Sequence, residues 1–237
     1  MSAIHTELAY FVASLLFIVG LRDLRSPETG RRGLRLAEAA MLIAVGATLL
    51  HSQLARYDWI IGGALVGSVI GVAMALYIPM TKMPERIALS HAFGGLAAAL
   101  VGVAEYARHG GALGTGKMAA LGFEVMLGSL TTTGSLLAFA KLQGMVRGTP
   151  MTYKGQNVFN MLLLAATIGI FIYLVINPGS MPLFFTMAGL AFLFGLLLVM
   201  PIGSADMPVV MSLLNSYAGL ASAATGFVLN NKVLIIA

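Results

Sequence analysis

The chain has 237 residues, 59% of them hydrophobic and only 10% charged, with 28 glycines and a mean hydropathy of +0.92, more apolar surface than a water-soluble core of this size needs. A soluble globular protein is therefore excluded. Zero cysteines exclude disulfides, thiolate catalysis and cysteine metal sites, and the formal net charge of +5 is informative only through where its basic residues lie.

Apolar stretches near or beyond about 18 residues recur along the whole chain, the signature of a polytopic helical membrane protein. A transmembrane β-barrel is excluded, because its strands alternate apolar and polar residues whereas these runs are apolar on every face. Eight spans follow in chain order, centred on Leu8 to Leu21, Leu36 to Leu50, Trp59 to Met80, Ile87 to Val103, Met118 to Phe139, Val158 to Ile176, Leu183 to Ile202 and Val209 to Leu229. The first has His5 and Glu7 before it and an Arg-rich segment after it, so it reads as a span and not as a cleaved signal peptide. After Asn230, Asn231 and Lys232 a ninth apolar stretch, Val233 to Ala237, opens and stops; it is too short to cross about 30 Å of hydrocarbon, and the chain reads as truncated. The predicted fold is an all-α polytopic bundle with eight complete spans and the start of a ninth.

Lys and Arg are retained on the cytoplasmic side of a membrane. Arg22, Arg25, Arg31, Arg32 and Arg35 follow span one, Lys82 and Arg86 follow span three, and Lys141, Arg147 and Lys154 follow span five. The alternate loops hold only Arg56, Arg108, Lys117 and Lys232, which places the N-terminus outside. The basic surplus is thus a topology signal, and no nucleic-acid partner is expected.

Spans four and eight share an internal repeat. Laid over each other at a constant offset of 124, Met83 to Gly102 and Met207 to Gly226 agree at eight of twenty positions, including the opening Met-Pro, and Phe93 falls opposite Tyr217. Both segments run from inside to outside, which makes the repeat parallel, as in some transporters. In this register His91 falls opposite Asn215.

His91 lies about seven residues into span four, roughly 10 Å along the axis. An ionisable group at that depth usually faces a bundle interior or a water-filled cavity and marks an ion or proton path, and imidazole, with an unperturbed pKa near 6.5, exchanges a proton near neutral pH. The bland alternative is a neutral histidine bonded to a neighbouring carbonyl. Asn215 in span eight and Ser135 in span five come to about the same level on the cytoplasmic half, so the three could share one water cluster. Ser135, within Thr131-Thr132-Thr133-Gly134-Ser135, carries little weight alone, because such hydroxyls often bond back to their own helix, and helix-helix glue is an equal reading of Asn215.

Glu124 is the only carboxylate well inside a span, and at that depth it must be protonated, paired or wetted. It either lines the outer half of a proton path or belongs to a helix that starts later than drawn. Glu105, Asp58 and His109 read as solvated surface. Asp206, at the inner mouth of span eight, either caps a helix N-terminus or meets a cytoplasmic partner. Gly63, Gly67 and Gly71, and likewise Gly94, Ala98 and Gly102, form small-residue stripes read as packing surfaces. No nucleotide-binding loop, His-x-x-x-His pair or nucleophile elbow occurs, so this chain should bind no nucleotide or metal by itself.

The segment Ala205-Asp206-Met207-Pro208-Val209-Val210, continuing through Leu214-Asn215-Ser216-Tyr217 to Gly226-Phe227, closely resembles the membrane domain of the β subunit of the proton-translocating NAD(P) transhydrogenase. Leu89-Ser90-His91 with Gly94-Gly95-Leu96-Ala97, and Thr133-Gly134-Ser135 with Ala138-Phe139 and Lys141-Leu142, look like two further family segments. The resemblance covers essentially all 237 residues, specific in those three segments and compositional in the first two spans.

The resemblance implies coupling of hydride transfer from NADH to NADP⁺ to inward proton flow, with His91 as the proton-relay residue, Asn215 its polar partner, Ser135 a lining residue and Asp206 near the NADP(H)-domain interface. The Glu124-to-Ser135 spacing is shorter than the family pattern, so the resemblance assigns Glu124 no role. It implies no cofactor in residues 1–237 themselves, with NADP(H) and NAD(H) held in partner domains: further helices and a soluble NADP(H)-binding domain of the β subunit, and an α subunit that binds NAD(H). It implies a dimer of assembled protomers in the inner membrane of a bacterial cell. Two readings of another class stay open on the residues alone: a proton-coupled secondary transporter built on the parallel repeat, and a scaffold whose buried polar groups only fix helix register.

Overall fold

The computed structural model describes residues 3–51 and 57–236; Arg56 and Ala237 fall outside them. Among the described residues nine α-helices follow in order: α1 Ala3–Asp23, α2 Gly30–His51, α3 Tyr57–Tyr77, α4 Met83–His109, α5 Thr115–Leu142, α6 Gln156–Ile176, α7 Met181–Val199, α8 Met207–Leu229 and the short α9 Lys232–Ile236. Among the described residues the first eight are long and apolar enough to cross a membrane, and no strand occurs. The chain is an integral membrane protein, in which helices satisfy every backbone polar group without water.

Local chemistry sets the helix ends. Prolines at Pro79 and Pro201 stop α3 and α7 short of the predicted Met80 and Ile202, since a proline disfavours helical backbone before it. Pro84, Pro182 and Pro208 each enter the first turn of a helix, where a missing N–H is harmless. Asn230 closes α8 in the left-handed region at φ 56°.

The described residues of Met1–Ala75 and Asn231–Ala237 form one compact unit, and Leu76–Asn230 form a second. In the first, α1 and α2 make an antiparallel hairpin whose backbones meet at Gly20 and Gly33, where a Cβ on Gly33 would stand 2.7 Å from the Gly20 carbonyl oxygen. Tyr10 and Thr48 share a hydrogen bond of 2.8 Å across it, and Lys232 of α9 pairs with Glu7 at 2.7 Å. No residue of α3 is buried, and nothing stands within 4 Å of where a Cβ would be on Gly63, Gly67 or Gly71. The stripe read there as a packing surface packs against no described residue.

In the second unit, α5 is the central helix and packs against α4, α6, α7 and α8. Its two halves belong to two apolar clusters. One gathers Met118, Leu121 and Val125 with Tyr106, Leu174, Phe184 and Met187; Tyr106 stacks on Phe184 and donates to the Pro178 carbonyl at 2.5 Å. The other gathers Leu130 and Ala138 with Ala88, Val199, Val210 and Leu214. The packing stripe of α4 is Ala88, Ala92, Gly95, Ala99, Gly102 and Tyr106, which keeps Gly102 of the predicted stripe and has Gly95 and Ala99 in place of Gly94 and Ala98. Gly94 is exposed and meets nothing, whereas Gly95 touches α5.

Candidate functional site

The repeat seen in the sequence recurs in the backbone. Each copy opens with a single 3-10 turn, Met80–Lys82 before α4 and Ser204–Asp206 before α8, then Met-Pro, then a long helix packed on α5. The residues preceding the two helices have almost the same conformation, φ −98°, ψ 20° at Lys82 and φ −94°, ψ 5° at Asp206. Between α4 and α8 lies a cavity of about 320 Å³. Three repeat-related pairs line it: Pro84 with Pro208, Ile87 with Met211, and His91 with Asn215. Ser212 is the lining residue without a repeat mate there, its counterpart Ala88 being buried against α5.

His91 is partly buried and Asn215 exposed. Ser135, on α5, is 1% exposed and its hydroxyl meets no partner. Helix register sets its level. A Cβ on Gly95 would touch Gly128, Thr131 and Thr132; Gly128 in turn meets Ala99, and Gly102 meets Val125 and Glu124. Each turn along α4 is thus matched by one turn back along α5, and the turn before Gly95 sets His91 at the level of Ser135. On the other side Gly134 faces Leu214 of α8, which puts the adjacent Asn215 within a turn of the same level. The three predicted residues come to one depth, two in the cavity and one buried behind it on α5.

Glu124 lies elsewhere, about three turns along α5. The helix starts at Thr115 and Glu124 is 0% exposed, so a late-starting helix with a wet carboxylate is not what the structure contains. Among the described residues neither carboxyl oxygen makes a hydrogen bond, the nearby Thr225 hydroxyl donating instead to the Ala221 carbonyl at 3.0 Å. Its carboxyl carbon would stand 3.4 Å from a Cβ on Gly102, and its polar neighbours are Thr225 of α8 and Glu105 of α4. The Glu105 side chain, predicted as solvated surface, is 17% exposed, with its Oε1 3.1 Å from His109 Nδ1 one turn on. The spacing of Glu105 three residues after Gly102 was the signal available for its inward face.

Asp206 occupies the N-cap position of α8, is exposed, and makes no capping hydrogen bond. Pro208 sits second in the helix, where a capping carboxylate would otherwise find an N–H. Lys141, counted in the sequence as a loop charge, is buried; its ammonium donates to the carbonyls of Val199 at 3.3 Å, Met200 at 2.6 Å and Ile202 at 2.7 Å. It thereby adds a charged donor to the carbonyls at and just after the end of α7, where Val199 and Met200 also accept from the Ile202 and Met151 amides. Among the described residues no three His, Asp or Glu side chains are grouped to hold a metal ion.

Residues 6–237 match the family model of the NAD(P) transhydrogenase beta subunit. Two curated relatives from Rhodospirillum rubrum, both named NAD(P) transhydrogenase subunit beta and one assigned to a particular strain, are each 38% identical over 239 positions, covering 98% of this chain and 51% of their own length. The chain spans about half the length of the curated relatives it matches.

Proposed function

The chain belongs to the NAD(P) transhydrogenase beta subunit family, and on that premise we propose that it is the membrane part of a proton-translocating transhydrogenase. Residues 1–237 would form the transmembrane proton channel. Hydride transfer between NAD(H) and NADP(H) takes place in separate soluble domains, one from the β subunit and one from an α subunit, and this chain couples it to proton movement across a bacterial inner membrane. The distribution of basic loops supports an outside N-terminus, and two copies of the assembled protomer make the enzyme.

The observation that carries the reading is the α4–α8 cavity, in which an imidazole and an amide occupy equivalent positions of a repeat at membrane depth. Among the described residues neither makes a hydrogen bond that would mark it as helix glue. His91 takes a proton from the outer side, holds it near Asn215 and Ser135, and releases it inward when the soluble NADP(H) domain changes its contact with the inner loops. Asp206, exposed and free of a capping bond, faces that domain. Glu124 lines the outer half of the path.

Replacing His91 by glutamine removes the titrating group and keeps a polar side chain. In the complete enzyme reconstituted in vesicles, coupled proton transfer should be blocked or uncoupled from hydride transfer; wild-type coupled turnover would overturn the assignment. The parallel repeat favours one second reading, a proton-coupled secondary transporter. Its mark is solute-dependent proton flux by this chain alone, without partner domains.

A further inference from the structure

One face of α5 carries Glu124, Gly128, Thr131 and Ser135, at successive spacings of four, three and four residues, and the contacts of Gly128, Thr131 and Glu124 turn that face towards α4. The hydroxyls of this region divide into two sets. Thr132 donates to the Gly128 carbonyl at 2.7 Å and Thr133 to the Phe192 carbonyl of α7 at 2.6 Å. Thr131 and Ser135, 0% and 1% exposed, find no hydrogen-bond partner among the described residues. A hydroxyl in a helix always has a backbone carbonyl within reach four residues back. Two that leave it unused, on one face and fully buried, keep both donor and acceptor free.

Thr131 stands where the backbones of α4 and α5 approach each other. A Cβ on Gly128 would lie 2.8 Å from the Gly95 carbonyl oxygen, and a Cβ on Gly95 would lie 3.1 Å from the Thr131 Cβ. Backbone meets backbone there, which divides the seam in two. On one side are Glu124, both oxygens unpartnered, and its neighbours Glu105 and Thr225. On the other are Ser135 and, by register, His91. Helices α6, α7 and α8 carry no Lys, Arg, His, Asp or Glu, so α4 supplies the ionisable neighbours of this path.

We propose that the Thr131 hydroxyl is a relay residue that carries protons past the Gly95–Gly128 constriction, between the Glu124 side and the Ser135–His91 level. The inference rests on the reading of this chain as a proton channel. A proton arriving from the Glu124 side bonds to the Thr131 oxygen as the hydroxyl's own proton leaves, through a bridging water, for the Ser135 oxygen one turn and about 6 Å along the axis, and the Ser135 hydroxyl's own proton passes on towards His91. One O–H bond forms as the other breaks, the hydroxyl stays neutral, and rotation about its Cα–Cβ bond resets it. Thr131 and Glu124 are about 10 Å apart along the axis, and water supplies the links in that interval.

The test uses the complete enzyme in sealed vesicles, with proton flux followed by a pH dye and hydride transfer by absorbance. Thr131→Val, nearly isosteric, and Thr131→Ala should each lower proton flux about 100-fold, the lower end of what a positioned proton-transfer group supplies. Thr131→Ser should restore it. Thr132→Val, which removes a hydroxyl already bonded within its helix, should stay near wild type. Wild-type flux in the Val and Ala variants, failure of Ser to restore it, or an equal loss in Thr132→Val would each overturn the proposal, the last by assigning the effect to packing. His91→Gln is measured beside them. If it too keeps wild-type flux, the channel reading itself fails; if it is silent while Thr131→Val conducts, only the role of Thr131 falls.

Discussion

At the C-terminal end of α5, Lys141 is 2% exposed and its ammonium is held by three carbonyls from the end of α7. Seventeen residues earlier in the sequence on the same helix, Glu124 is 0% exposed and neither carboxyl oxygen makes a hydrogen bond among the described residues. Burying a charge-bearing group is costly unless it is hydrogen-bonded. Lys141 meets that condition and closes a helix end, which makes it structural. Glu124 does not, and an unsatisfied ionisable group at membrane depth is where function is found.

The contrast can be broken by substitution. The largest loss of stability is expected from Lys141→Met, which takes a charged donor from three carbonyls, of which Val199 and Met200 keep a backbone N–H and Ile202 keeps no donor among the described residues; hydrogen bonds to a charged group contribute about 1.5–3 kcal/mol each, so the loss is roughly 3 kcal/mol or more, read as a fall in the thermal unfolding midpoint in detergent. Gly95→Ala comes next. Its methyl would stand 2.9 Å from the Gly128 carbonyl oxygen, and overpacking of this kind costs about 1–3 kcal/mol. Gly94→Ala, one residue away with nothing within 4 Å, should instead stabilise by about 0.5–1 kcal/mol through helix propensity; a loss equal to that of Gly95→Ala would show that the packing stripe of α4 is misplaced. The smallest change should come from Glu124→Met. Removing an unpartnered polar group leaves stability within about 1 kcal/mol of wild type or raises it, while proton flux in the reconstituted enzyme falls. A destabilisation matching that of Lys141→Met would erase the distinction between the two ends.

The eight spans were legible because hydropathy alone fixes them, and so was the common depth of His91, Asn215 and Ser135, since helical rise converts sequence position into height. Rotation about each helix axis was not. Gly94 and Gly95 are adjacent, and only the position of α5 decides that Gly95 is the contact. The same ignorance put Glu105 on the surface. Nor could the sequence distinguish Thr131 from Thr132, because both have a backbone carbonyl in reach and only the fold shows which one uses it. Lys141 was counted as a loop charge because its acceptors come from a helix end about sixty residues further along the chain, each 58 to 61 positions away.

The Lys141 anchorage does not stand alone. The Ser204 hydroxyl donates to the Lys141 carbonyl at 3.3 Å, the Ser204 amide to the Gly148 carbonyl at 2.8 Å, and the Met151 amide to the Met200 carbonyl at 3.1 Å. The connections after α5 and after α7 are thereby stitched into one stiff collar. A tug on either connection has no slack to take up: it arrives at the foot of α5 as a push or pull on the whole rod.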